Sequence, residues 1–170
     1  STDVKVQKDF YNKLQASDKL PTTSQPALGE YIALIEEIIE KGYDQLLCIH
    51  LSKTFSGTCQ TAKMLIDEYK DQINGHVVDS KGVSLIIGAL VEQALDMIEK
   101  EVPFEDICRN TEWSAKRGTI YLTVSDLENL AKSGRANKAV AKIGGLLKIR
   151  PLLCVNAKGE VELLEKIRTD

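Results

Sequence analysis

The segment Leu46-Leu47-Cys48-Ile49-His50-Leu51 is apolar along nearly its whole length and is no longer than a strand. A strand with one wet face alternates apolar and polar residues, whereas a continuous run needs cover on both faces. A parallel sheet flanked by helices provides that cover, so this segment points to an α/β domain. Its neighbours agree. Tyr31, Leu34, Ile35, Ile38 and Ile39 recur at helical spacing before it and stop at Lys41-Gly42. After it, Ser56 stands where an N-cap belongs, and Ala62, Leu65, Ile66 and Tyr69 mark the buried side of another helix.

The alternation continues. His76-Val77-Val78-Asp79 reads as a second strand, followed by a helix through Ile86, Ile87, Leu90, Ala94 and Ile98. Pro103-Phe104 opens the next helix, with Ile107 and Trp113, and Thr119 to Thr123 reads as a third strand. Upstream, Val6, Phe10 and Leu14 mark a short amphipathic helix after Thr2-Asp3. The stretch from Leu20 to Pro26 separates it from the rest, because each proline holds its predecessor extended. Near Ser125 the composition shifts. Asp126 to Lys132 reads as a short helix, Ser133-Gly134-Arg135 as a break, and Ala136 to Leu147 as a small-residue helix ending at Gly144-Gly145. Leu152-Leu153-Cys154-Val155 and Glu160 to Lys166 then form a β-hairpin about Asn156-Ala157-Lys158-Gly159. The expected architecture is α/β: a Rossmann-like lobe with a mainly parallel sheet over residues 1–125, then part of a second, smaller α/β lobe over 126–170.

Composition narrows the function. Hydrophobic residues make up 43% of the chain, too many for disorder. The 22 Lys+Arg against 25 Asp+Glu leave a net charge of -3, which gives no pull toward a polyphosphate. Aromatics at 5% supply few platforms for stacking bases, so no nucleic-acid partner is expected. No stretch approaches the roughly 18 apolar residues of a membrane span, and the polar segment from Ser1 to Phe10 does not read as a signal peptide. Cys48, Cys59, Cys108 and Cys154 lie too far apart for a zinc or redox motif; they read as free buried thiols in a reducing cytoplasm.

Chemistry concentrates in the turn after the apolar run, His50-Leu51-Ser52-Lys53-Thr54-Phe55-Ser56-Gly57-Thr58. It leaves the carboxyl end of a buried strand, the edge where open α/β sheets bind ligands, and enters a helix whose N-terminus favours an anion. Ser52, Thr54, Ser56 and Thr58 add hydroxyls, and Gly57 allows close approach to the backbone. An N-cap in a surface loop explains the same residues without a ligand. Thr22-Thr23-Ser24-Gln25, held between Pro21 and Pro26, is a second hydroxyl-rich loop, and Asp79-Ser80 ends the next strand on the same sheet edge. Phosphate-loop and dinucleotide glycine patterns are absent, as is the G-x-S-x-G elbow of serine hydrolases. A Ser–His pairing of His50 with Ser52 stays open; His76 reads as structural, and Asp79 and Asp126 have no His or Cys at metal-ligand spacing. Lys132, Arg135, Lys148 and Arg150 form a basic group, either a solvated face or cations facing an anionic head group or acidic partner.

In this order the motifs resemble the DegV family of bacterial fatty-acid-binding proteins. The resemblance rests on Pro21-Thr22-Thr23-Ser24-Gln25-Pro26, Gly42-Tyr43-Asp44, His50-Leu51-Ser52, Ser56-Gly57-Thr58 and Val77-Val78-Asp79-Ser80-Lys81. It continues through Asp126 to Leu130, Ser133-Gly134-Arg135, Leu146 to Leu153 and Lys166-Ile167-Arg168-Thr169. It implies two unlike α/β lobes with one long-chain fatty acid between them, and no cofactor or metal. It further implies a non-catalytic carrier that presents the acid to a separate fatty-acid kinase. The carboxylate-binding role falls on Thr23, Ser24, Ser56 and Gly57, with Ser52 a weaker candidate. Lys53 and Thr54 stand where the family commonly has a second serine, and Ser133 where it has glycine. The family's opening Asp-Ser-Thr strand and its segment beyond Arg-Thr are not among these residues, so the sequence is expected to be the interior of a longer chain. Two other readings stay open: an enzyme acting on a small anion, with Ser56 as nucleophile or His50 as base, and a DegV-like frame that binds nothing.

Overall fold

A computed structural model describes residues 3–17, 19–124, 127–143 and 149–168. Helix α1 (Val4–Gln15) starts at Asp3, whose carboxylate accepts the Lys5 N–H at 2.8 Å, and it buries none of its residues. Residues 20–27 have no regular structure and lead to α2 (Leu28–Glu40), which ends at Lys41 and turns through Gly42 at φ +82°. Strand β1 (Gln45–His50), α3 (Thr58–Glu68) and β2 (Asn74–Asp79) follow as a βαβ unit. The two strands pair in parallel from Gln45↔Asn74 to His50↔Asp79. Helices α4 (Leu85–Glu99) and α5 (Phe104–Ala115) come next.

The continuous apolar run does what its pattern dictates. Leu46 and Cys48 pack on one face of the sheet with Val77 and with Ile35, Cys59, Leu65 and Ile66 of α2 and α3. Leu47 and Ile49 pack on the other with Val78 and with Leu90 and Ala115 of α4 and α5. Successive residues thus enter opposite cores, which makes a three-layer helix–sheet–helix lobe.

The second sheet corrects one strand assignment. β3 (Tyr121–Thr123) is not a third parallel strand: it pairs antiparallel with β4 (Ile149–Val155), which pairs antiparallel with β5 (Val161–Arg168). Only Leu122 of Tyr-Leu-Thr is turned inward, between exposed Tyr121 and Thr123. That alternation suits a sheet covered on one face better than a buried parallel strand. Between β3 and β4 lie α6 (Leu127–Lys132) and α7 (Asn137–Ile143). Ala136, Ala139, Ile143, Leu153 and Val161 form the core of this part. Phe55, from the turn after β1, packs against that same core. The Gly144-Gly145 helix stop, Asp126 and Lys148 lie outside the described residues.

Candidate functional site

The strand-end turn and the proline-framed loop meet. Together they line a cleft of about 750 Å³ that includes Thr23, Ser24, Gln25, Ser56, Gly57 and Thr58. β1 delivers the turn to the carboxyl edge of the sheet, and α3 begins within it. The helix starts one residue later than the sequence suggests, with Gly57 at the N-cap and already in the right-handed helical region (φ -70°, ψ -7°). Ser56 still acts as a cap in kind: its Oγ accepts the Thr58 N–H at 3.3 Å and lies 2.6 Å from the Thr58 hydroxyl. The first N–H groups of α3 have no partner within the helix, so this end is polar and electropositive.

Gly57 has a spatial reason. A side-chain carbon there would sit 2.8 Å from Gln25 Oε1, so glycine leaves room for the Gln25 amide against the start of α3, where a larger residue would make that side chain shift. Thr61 Oγ1 donates to the same Gln25 oxygen at 3.2 Å and ties loop to helix.

Arg135 reaches both hydroxyl loops from the second part of the chain. Its Nε donates to the Phe55 carbonyl at 3.0 Å and its Nη2 to Thr23 Oγ1 at 3.3 Å. The guanidinium therefore bridges the two hydroxyl loops at the cleft. Among the described members of the basic group read from sequence, Arg135 lines this cleft. The same cleft is also lined by apolar side chains: Leu51, Phe55, Val83, Leu122, Leu130, Val155 and Val161. Leu51 and Phe55 belong to the turn that stands out in the sequence, but nothing local marks Val83, Leu122, Leu130, Val155 or Val161 as lining a cleft. Phe55, the lone aromatic in a Ser/Thr-rich turn, was the one local signal.

Ser52 does not line the cleft. It is fully buried, and its Oγ donates to the Gly159 carbonyl at 3.0 Å, 107 residues away in sequence. Asp79 and Ser80 are also turned to local work. Asp79 accepts from the Lys81 and Lys53 N–H groups and pairs with Lys81 Nζ at 2.8 Å. Burial pushes its carboxyl up, but the Lys81 bonds and charge outweigh this and hold it below the ordinary value.

Neither histidine faces a serine. His50 Nε2 lies 3.2 Å from the Tyr31 hydroxyl, and burial lowers its pKa. His76 Nε2 lies 3.0 Å from Glu112 Oε1. Among the described residues no cluster of His, Cys, Asp and Glu could hold a metal ion. A second groove, about 690 Å³, runs along the start of β2 between α3 and α5, and its lining includes the charged side chains of Lys63, Asp67, Lys70 and Glu112.

Comparison with known proteins decides the family. The family model described as "Uncharacterised protein, DegV family" matches residues 2–170. This chain belongs to the DegV family. A DegV domain-containing protein of Listeria innocua is 39% identical over 161 residues, which are 95% of this chain and 56% of the relative. The chain thus spans little more than half the length of the curated relatives it matches. The structure resembles that of a fatty acid binding DegV family protein from Streptococcus agalactiae, with a TM-score of 0.88, 33% identity and coverage of 96% of this chain and 57% of that one. It also resembles DegV, a fatty acid binding protein from Bacillus subtilis, with a TM-score of 0.81, 37% identity and coverage of 95% and 57%. No helix among the described residues is long and apolar enough to cross a membrane.

Proposed function

We propose that this chain binds a long-chain fatty acid in the cleft between its two sheets, carboxylate first. The observation that carries the reading is the mixed lining of one cavity: hydroxyls, the start of a helix and a guanidinium share it with apolar side chains from both parts of the chain. Thr23, Ser24, Ser56 and Gly57 take the carboxylate, Arg135 supplies the counter-charge, and Leu51, Val83, Leu122 and Leu130 take the chain. Each methylene removed from water contributes about 0.8 kcal/mol, so the apolar side chains supply most of the affinity and the polar groups set orientation. We take the second lobe to begin at β3 and not at residue 126, because β3 pairs with β4 in the second sheet. The similar structures described as fatty acid binding support this reading.

The protein acts as a carrier in the cytoplasm, requires no cofactor, and presents its ligand to a fatty-acid kinase. Free thiols at all four cysteines favour that compartment. A carrier is favoured over an enzyme because both histidines are engaged by Tyr31 and Glu112 rather than by Ser52 or Ser56.

Native mass spectrometry of protein from bacterial cells tests the binding. A long-chain acyl mass on the native protein, lost in the Thr23→Ala/Ser56→Ala variant, is expected; an empty native protein removes the reading. Incubating the loaded protein with ATP and a bacterial fatty-acid kinase tests presentation, with acyl phosphate as the expected product.

A further inference from the structure

Ser52, Thr54 and Gly159 form a contact that the cleft itself does not explain. Gly159 is buried at the tip of the β4–β5 hairpin, and its carbonyl accepts from two hydroxyls of one turn: Ser52 Oγ at 3.0 Å and Thr54 Oγ1. The same turn is anchored at Ser52, whose N–H donates to the Gly82 carbonyl at 2.8 Å. It closes on itself through the Phe55 N–H and the Ser52 carbonyl at 2.9 Å. At its far end the Phe55 carbonyl accepts from Arg135. Ser56 and Gly57, the proposed carboxylate donors, follow at once.

We propose that Gly159 is a positioning residue for the head-group site. It touches no ligand; its carbonyl fixes the turn over residues 52–56, so that Ser56 and the start of α3 meet the carboxylate from a preset backbone. The inference rests on the fatty-acid reading above for the identity of the ligand. Only glycine serves here. Its φ of +81° is unfavourable for other residues, and a side-chain carbon would lie 2.1 Å from Ser52 Oγ and 3.5 Å from Lys81 Cα. Ser52 therefore belongs to the site as the receiver of this contact, and Thr54 as its second arm.

Removing the Thr54 hydroxyl tests the idea without disturbing Gly159. In Thr54→Val, the Kd for oleate by titration calorimetry should rise about tenfold, with Thr54→Ser restoring it. The amide resonances of Ser56 and Gly57 should shift in ligand-free Thr54→Val and return in Thr54→Ser, a readout that simple loss of stability does not move. An oleate Kd within about twofold of native overturns the proposal. If the native protein binds no oleate, the fatty-acid reading fails and the amide resonances decide positioning alone: unmoved signals overturn it, and moved signals uphold it for whichever anion occupies the site.

Discussion

Arg135 shows how a side chain acquires a role that its own neighbourhood in sequence cannot display. Ser133-Gly134-Arg135 reads locally as a helix break with a charge on it, yet the fold brings its guanidinium to Phe55 and Thr23, 80 and 112 residues away. Its Nε and Nη2 engage both partners at once, a fork that lysine lacks. Arg135→Ala should therefore weaken oleate binding roughly tenfold, and Arg135→Lys should not restore it, as measured by calorimetry. That Thr23, Ser24, Ser56 and Gly57 line one cleft fits what could be read locally, a hydroxyl and glycine turn after a strand and a hydroxyl-rich loop between two prolines. Ser52 looked the same in sequence and differs only in which way its hydroxyl is drawn. The titrating groups give a second expectation. His50 has a folded-state pKa below its ordinary 6.5, so the unfolded chain takes up that proton first. Stability is then full above about pH 6.5 and falls as the pH drops below it. Asp79, held below its ordinary 3.8, adds a further loss as its carboxylate protonates at more acid pH. Urea unfolding against pH should show both limbs, the upper one missing in His50→Gln and the lower one in Asp79→Asn. Burial pushes the thiols of Cys48 and Cys108 up to about 11, which keeps them protonated at neutral pH. A thiol-labelling reagent should accordingly react slowly with the native fold and fast in denaturant.

Helices and strands were read most securely where one pattern ran long. The unbroken run that became β1 demanded two covers and has them. The three residues of β3 were too few to declare their sheet, and pairing with β4 settled it across sequence distance that no local pattern spans. The β1–α3–β2 unit also carries a packing constraint that composition hides. A side-chain carbon at Gly75 would fall 2.6 Å from Ile66 Cγ2 and 2.8 Å from its Cδ1, so α3 lies directly on β2 at this point. Gly75→Ala should cost about 1–3 kcal/mol in urea unfolding, and Ile66→Val in the same chain should recover part of that loss. At the other extreme, α1 has amphipathic spacing and a sound cap but buries none of its 12 residues. A helix of that length is marginal without tertiary packing. Its amides should exchange with deuterium much faster than those of α3, which buries Thr58, Cys59, Ala62, Leu65 and Ile66.

The whole molecule consists of two sheets of opposite character, and among the described residues the turn after β1 is one place where they are joined. Phe55 leaves the parallel-sheet part and packs in the core of the antiparallel part, with Ser52 and Thr54 bonded to Gly159 on one side and Arg135 on the other. None of these pairings was legible, because each joins residues 80 or more apart and no repeating pattern connects them. A ligand in the cleft touches both parts, so its binding should stabilise both together: saturating oleate should raise Tm as one transition rather than split it. The proline-framed loop has a consequence of its own. Pro21 and Pro26 restrict a stretch that has neither helix nor strand to hold it. The prolines and their predecessors Leu20 and Gln25 are therefore set at both ends of the loop in the free chain, while Thr22, Thr23 and Ser24 between them keep their freedom. Any ligand that engages Thr23 and Ser24 would thus have only the middle of the loop left to order, a cost confined to three residues instead of the whole stretch.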